Sequence, residues 1–209
     1  MLSIEHSFWD RDPGLVLAGV DEVGRGPLAG PVYASAVVIA PADADSFLEG
    51  PLAGLTDSKK LTEAARERFC ALLRSLPDVR IGIGSASVAE IDSMNILRAT
   101  HLAMRRAVEA LSVQPDCALI DGNGKPGLAV EQRTIVKGDS KSVSVAAASI
   151  LAKVTRDRYM KMLDEQYPQY AFAQHKGYGT KLHYERIAAS GLCPEHRRTF
   201  LRKVLEQTP

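Results

Sequence analysis

The chain has 209 residues, 45% of them hydrophobic, a length that suits one sizeable domain able to bury a core without disulfides. Its 26 Lys and Arg stand against 25 Asp and Glu, so the formal net charge of +1 argues neither for nor against nucleic acid. The first residues, MLSIEHSFWDRDPG, lack a basic start followed by a long apolar run, and no stretch approaches the length that spans a bilayer, so a protein neither secreted nor membrane-embedded is expected. Charge is unevenly spread. Residues 1–58 hold Arg11 and Arg25 against nine acids, whereas residues 175–203 hold seven Lys and Arg against Glu185 and Glu195. An acidic start and a basic end read as a metal-collecting region beside a polyanion-collecting one. Cys70, Cys117 and Cys193 are odd in number, far apart and without metal-type spacing, as expected of a cytoplasmic protein in a reducing compartment.

Residues 15–30, LVLAGVDEVGRGPLAG, organise the rest. Leu15, Val16, Leu17, Ala18 and Val20 form the apolar run of a strand buried on both faces, and it ends in Asp21 and Glu22. Carboxylates about 4 Å apart repel by roughly 4 kcal/mol at an effective dielectric near 20, so the pair must separate, take up a proton or find positive charge. Gly24 and Gly26 allow the backbone to turn there and leave peptide N–H groups bare to a phosphate or sugar. The plainer reading of the same turn pairs Asp21 or Glu22 with Arg25.

Residues 32–40 (VYASAVVIA) read as the second strand of a hairpin, and residues 41–54 as a surface loop. The stretch LTDSKKLT at 55–62 carries Lys59 and Lys60, able to hold a phosphate or simply solvated. Thr62 caps a helix with Ala65, Phe69, Leu72, Leu73 and Leu76 on its apolar face. Alternation over 79–87 predicts a strand. Asp92 or Ser93 then caps a helix whose inner face runs from Ile96 to Leu111, with His101 at its edge. Residues 117–120 (CALI) form a strand that ends in Asp121, and residues 133–136 (RTIV) one followed by Lys137-Gly138-Asp139. A long helix is expected from Ser140 to about Tyr167, with small residues that permit close packing on the sheet and Asp139 at its N-cap. After Pro168, the segment QHKGYGT at 174–180 is a glycine-rich loop centred on Tyr178, and helical stretches follow over 181–189 and 195–205. This order predicts an α/β fold, a mixed sheet flanked by helices whose ligands collect at strand ends, in a single domain over 1–209 with about 181–209 as a helical appendage.

The motifs GVDEVGRGPLAGPV, LTDSKKLT, IDSMNIL, ALIDGN, KGDSKSVSVAAASILAKVTRDRYM and HKGYGT resemble those of bacterial ribonuclease HII, the type 2 ribonuclease H, in the same order from about residue 16 to 200. The resemblance implies a ribonuclease H-like fold and hydrolysis of the RNA strand of RNA–DNA hybrids, including nicking at single ribonucleotides in duplex DNA. It places the four catalytic and metal-binding acids on Asp21, Glu22, Asp121 and Asp139, a glycine-arginine-glycine motif on Gly24, Arg25 and Gly26, and a junction-sensing tyrosine on Tyr178. Four carboxylates and no Cys/His set suit Mg²⁺ or Mn²⁺, and two such ions about 4 Å apart suit an in-line displacement leaving a 3′-hydroxyl and a 5′-phosphate. Peptide groups of the glycine-arginine-glycine turn can donate to and accept from the 2′-hydroxyl that distinguishes RNA from DNA. Lys59, Lys60, Lys176 and Lys181 are candidates for phosphate contacts that set register without reading sequence. The expected partner is nucleic acid, with a monomer and no obligate protein partner. Two rivals remain: a nucleotide-binding phosphotransferase, which lacks the Gly-Lys-Ser/Thr ending of a P-loop, and a non-catalytic hybrid-binding module.

Overall fold

Apolar residues at consecutive strand positions stay out of water only if both faces of the sheet are covered, and here helices cover both. The structure is a computed structural model and describes residues 1–202. In chain order the elements are α1 (Ser3–Trp9), β1 (Leu17–Val23), β2 (Val32–Ile39), α2 (Pro41–Glu49), α3 (Glu63–Ser75), β3 (Val79–Ala86), α4 (Val88–Met94), α5 (Ile96–Glu109), β4 (Cys117–Asp121), β5 (Glu131–Ile135), α6 (Val143–Gln166), α7 (Phe172–His175) and α8 (Lys181–Ser190). The five strands form one mixed sheet in the order β3-β2-β1-β4-β5. The β1–β2 and β2–β3 pairs are antiparallel, while β4 runs parallel to both β1 and β5.

Alternation along β1 sorts its side chains between two cores. Leu17 joins Val37, Leu119, Val145, Ile150 and Leu151 under α6, with Leu2, Trp9, Phe69 and Leu73 from α1, α3 and the N-terminal segment. Val20 joins Ala36, Ala86, Ile120, Ala103 and Met104 on the opposite face, under α4 and α5. The small residues of α6 let it lie directly on the sheet. A Cβ on Gly19 would stand 2.1 Å from the Ser144 carbonyl carbon and 2.3 Å from the Val145 nitrogen, so helix backbone touches strand backbone there.

Several local expectations give way to tertiary context. Residues 41–49 form α2, with Pro41 in its first turn and Ala44 buried, in place of a surface loop. The helix expected after Asp92 or Ser93 is α5, which starts at Ile96, and Asp92 and Ser93 belong instead to a separate short helix before it, α4. Ser87 and Glu90 form a capping box on α4, and Asn95, at φ 73°, ends α4 and caps α5 through Arg98 N–H. Asp139 is not a helix cap. It sits in a single 3₁₀ turn, Gly138–Ser140, and the Ser142 hydroxyl caps α6 by accepting from Val145 N–H. In the tail the helix expected over 195–205 is a 3₁₀ turn at Arg198–Phe200, and its part beyond residue 202 lies outside the described residues. No helix among the described residues is long and apolar enough to cross a membrane.

Candidate active site

The parallel register carries β1 and β4 to the same edge. Val20 pairs with Ile120, so Asp21 and Asp121 occupy the next position on neighbouring strands. Asp121 in turn pairs with Ile135 of β5, whose continuation brings Gly138 back to donate its N–H to Asp121 Oδ1 at 2.7 Å. That turn delivers Asp139 beside Asp121. Asp21 faces α6, and Glu22, one residue on, faces the α5 side, where Arg25 Nη1 donates to its Oε1 at 3.2 Å. The plainer reading of the turn is therefore correct for Glu22. Among the described residues it is the one ion pair these four acids make.

Crowding shows in the protonation equilibria. Burial holds the Asp21 carboxyl well above the usual carboxylate range, reinforced by Glu22 and Asp121, with the Ser149 hydroxyl pulling the other way. Burial likewise raises Glu22, against the pull of Arg25, and raises Asp139, which also feels Asp121 and Asp57. An all-oxygen set of mutually repelling, desolvated carboxylates fits a hard divalent cation by donor chemistry. Among the described residues no three His, Cys, Asp or Glu side chains close into a ready-made cage. Mg²⁺ sites suit that openness, because the ion keeps waters and substrate phosphate oxygens alongside one or two carboxylates.

Two clefts meet at Glu22. One lies over α5 and is lined by Arg25, His101, Asp121 and Asn123. The other is lined by Asp21, Ser58, Lys59, Ser149, Lys153 and Tyr178, so it joins Lys59 and Tyr178 to the acids. Lys60 is exposed at the end of its 3₁₀ turn, and the Lys176 ammonium folds back on the Ala173 carbonyl of α7. Sequence reasoning missed Asp57, Ser58, Ser149 and Lys153. Asp57 caps the 58–60 turn by accepting from Lys59 N–H at 2.9 Å, while Ser58 and Ser149 share a buried hydroxyl contact at 2.8 Å. The motif of Asp57 and Ser58, LTDSKK, draws attention to its lysines and hides the carboxyl and hydroxyl beside them, and Ser149 and Lys153 lie within the long helix α6.

The Tyr178 loop is anchored from beneath by three buried imidazoles. His183 Nδ1–H donates to the Tyr178 carbonyl at 3.0 Å, which leaves its Nε2 to accept from His196 Nε2–H at 3.1 Å. His196 Nδ1 accepts from Cys193 N–H at 3.0 Å, and His175 stacks on His183 with ring centroids 4.2 Å apart. Every ring nitrogen of the His183–His196 pair is committed in the neutral form. Burial lowers both to about 4, from an ordinary 6.5. Between those values the unfolded chain binds more protons than the folded one, so this anchor is fully effective above pH 6.5 and weakens as pH falls toward 4. The Asp21 carboxyl shift acts in the opposite sense, so the local readout is the informative one. Imidazole proton resonances of His183 and His196 are expected to stay at their neutral positions down to about pH 5, with amide exchange in residues 174–180 accelerating below it; titration near 6.5 would show the network open.

The sequence profile of the family described as Ribonuclease HII matches residues 18–205. The chain is 55% identical over 188 residues to a ribonuclease HII of Delftia acidovorans, covering 90% of this chain and 76% of that one. It is 50% identical over 191 residues to a ribonuclease HII of Clostridioides difficile, covering 91% of this chain and 72% of the relative. Among solved structures it resembles the ribonuclease H2 of Pyrococcus horikoshii OT3 at a TM-score of 0.76 and 30% identity, covering 92% of this chain and 98% of that one.

Proposed function

The chain belongs to the ribonuclease HII family and is an endonuclease acting on RNA–DNA hybrids, and from that premise we propose that it nicks duplex DNA 5′ of a single embedded ribonucleotide, using two divalent cations, Mg²⁺ or Mn²⁺, and leaving 3′-hydroxyl and 5′-phosphate ends. The observation that supports this best is the convergence of Asp21, Glu22, Asp121 and Asp139 at one sheet edge, raised in pKa by burial and by one another at three of the four positions. When bound, such cations activate a water, neutralise the scissile phosphate and stabilise the departing oxygen. Asp21 and Asp121, at neighbouring strand ends, are the ligands best placed to share a load, with Glu22 and Asp139 completing the set from either side. Lys59, in the cleft beside Asp21, supplies a charge for the phosphate backbone without reading sequence. Lys60 and Lys176 are secondary to it, being turned to solvent and to the Ala173 carbonyl respectively.

Tyr178 is 43% exposed although its loop is firmly anchored, a placement that suits packing on a sugar at the RNA-to-DNA junction. Tyr178→Ala is expected to lower kcat/KM at a single ribonucleotide about tenfold or more while duplex affinity stays within about twofold, since one aromatic contact is worth roughly 1–3 kcal/mol. Equal losses in both measurements would remove the junction-sensing role. The whole reading is tested with the purified chain and a labelled DNA duplex carrying one ribonucleotide. Nicking that appears only on adding Mg²⁺ or Mn²⁺, with a 5′-phosphate on the downstream product, supports it. Nicking that persists in excess chelator, or its absence with either metal, overturns it.

A further inference from the structure

The two bulkiest fully buried side chains are both arginines, Arg156 and Arg197, each 0% exposed. Neither makes an ion pair among the described residues, although an unpaired buried guanidinium is costly. Each instead spends its fork on three main-chain carbonyls. Arg156 donates to Ala29, Pro31 and Lys176. Arg197 donates through Nη2 to the Gly24 carbonyl at 2.6 Å, through Nη1 to that of Arg25 at 3.0 Å, and through Nε to that of Gly30 at 2.9 Å.

In a trans peptide the C=O and the N–H point in opposite directions, and no cis peptide bond occurs among the described residues. Drawing the Gly24 and Arg25 carbonyls inward therefore turns the N–H groups of Arg25 and Gly26 outward. Both residues are exposed, and neither N–H donates to an acceptor among the described residues. Two consecutive N–H groups aimed the same way form a small electropositive concavity. Beside it, the nearest atom to a Cβ built on Gly26 is Tyr178 Cε1 at 4.0 Å, so the face between turn and tyrosine is open. Arg197 is itself held from several directions. Its N–H donates to Leu28 at 2.8 Å, Gly30 N–H donates to Glu195 at 2.8 Å, the Phe200 ring lies 5.2 Å from the guanidinium carbon, and Asp92 accepts from Arg198 N–H at 2.9 Å.

We infer that Arg197 is a positioning residue for ribose recognition: by fixing the Gly24 and Arg25 carbonyls inward it aims the Arg25 and Gly26 N–H groups at the 2′-oxygen of the ribonucleotide beside the cut. The inference rests on the proposed nicking at embedded ribonucleotides and on the glycine-arginine-glycine turn being the contact to the 2′-hydroxyl, as its sequence suggests, and it sharpens that reading. The carbonyls of Gly24 and Arg25 face the protein interior, so these two peptides donate to the hydroxyl and do not accept from it. A lysine at position 197 keeps the charge but cannot hold three carbonyls in the plane of a guanidinium.

The experiment compares wild type with Arg197→Lys, reading kcat and KM on a duplex with one ribonucleotide and Ki of the all-DNA duplex as a competitor. Loss of two neutral hydrogen bonds predicts a fall in kcat/KM of about tenfold to thirtyfold with Ki within about twofold. Unchanged kcat/KM, or equal losses for both duplexes, overturns the inference. A wild type unable to nick the ribonucleotide duplex marks instead the failure of the underlying reading. Should Arg197→Lys not fold, amide resonances of wild type decide the matter: those of Arg25 and Gly26 shift with the ribonucleotide duplex and not with the all-DNA one, and identical shifts with both overturn it.

Discussion

Asp21→Asn is expected to cut single-turnover cleavage about a hundredfold to a thousandfold and, in the same protein, to raise the melting temperature. The two effects have one origin. The Asp21 carboxyl is 6% exposed and is pushed up by burial, by Glu22 and by Asp121, so its charge is held at the expense of the fold. An amide of the same shape removes that repulsion, a gain of about 1 kcal/mol or some 2–4 °C for a chain of this size. It also removes the anionic oxygen that would hold a divalent cation, and single electrostatic groups in active sites are commonly worth about 10²–10³ in rate. Hybrid affinity in the absence of divalent metal should be unchanged or slightly tighter, because a negative charge has left a surface that meets phosphates. Calorimetry and single-turnover cleavage in Mg²⁺ give the answer; activity within about tenfold of wild type takes Asp21 out of the chemistry, and a lowered melting temperature shows that its charge is not strained.

The two glycines that flank Arg25 are expected to respond oppositely to a methyl group. Gly24 has φ +92°, and a Cβ there would meet Arg156 Nε at 2.2 Å and Cδ at 2.6 Å. Left-handed backbone costs about 1–2 kcal/mol for a non-glycine residue and overpacking about 1–3 more, so Gly24→Ala should lose roughly 3 kcal/mol of stability. Gly26 has no positive φ, and its nearest neighbour on the Cβ side is the Tyr178 ring at 4.0 Å. Gly26→Ala should therefore melt within about 0.5 kcal/mol of wild type. Its methyl group nonetheless enters the space a sugar would fill, and a displacement of about 1 Å there is expected to cost about a hundredfold in kcat/KM at an embedded ribonucleotide. Thermal melts and kinetics on both variants test this as a pair. A Gly26→Ala enzyme as active as wild type would show that no sugar approaches the turn, and an undisturbed Gly24→Ala melt would show that Arg156 can withdraw.

Local signals and long-range contacts divide what could be read in advance. β1, β2 and β4 were legible because burial on both faces demands continuous apolar runs, β3 showed through its alternation, and the alanine-rich start of α6 correctly implied a helix pressed on the sheet. Asp21, Glu22 and Asp121 stood out as acids on short apolar strands, and the parallel register does bring the strand ends together. Helix boundaries were harder. Asn95 adopts φ 73° and serves two helices at once, whereas Asp92, a good cap by type, spends both oxygens on the backbone of Arg198 and Thr199. No local pattern announces a partner 106 residues away. The same holds for Arg156, Arg197 and the linked imidazoles, which read as ordinary basic residues until the fold removes them from water. Glu5 illustrates the point at the N-terminus, where a charged residue in an unremarkable segment is 1% exposed and accepts from Ser142 Oγ and Ser144 N–H at the start of α6.

The contact between Arg197 and the Gly24 carbonyl joins residues 173 positions apart. During synthesis at about 5–20 residues per second, the turn that carries Arg25 emerges roughly 10 to 30 s before the guanidinium that orders it. A nascent polypeptide thus exposes Asp21 and Glu22 early, completes its acidic cluster only once Asp139 has emerged, and gains a rigid turn later still, when Arg197 arrives.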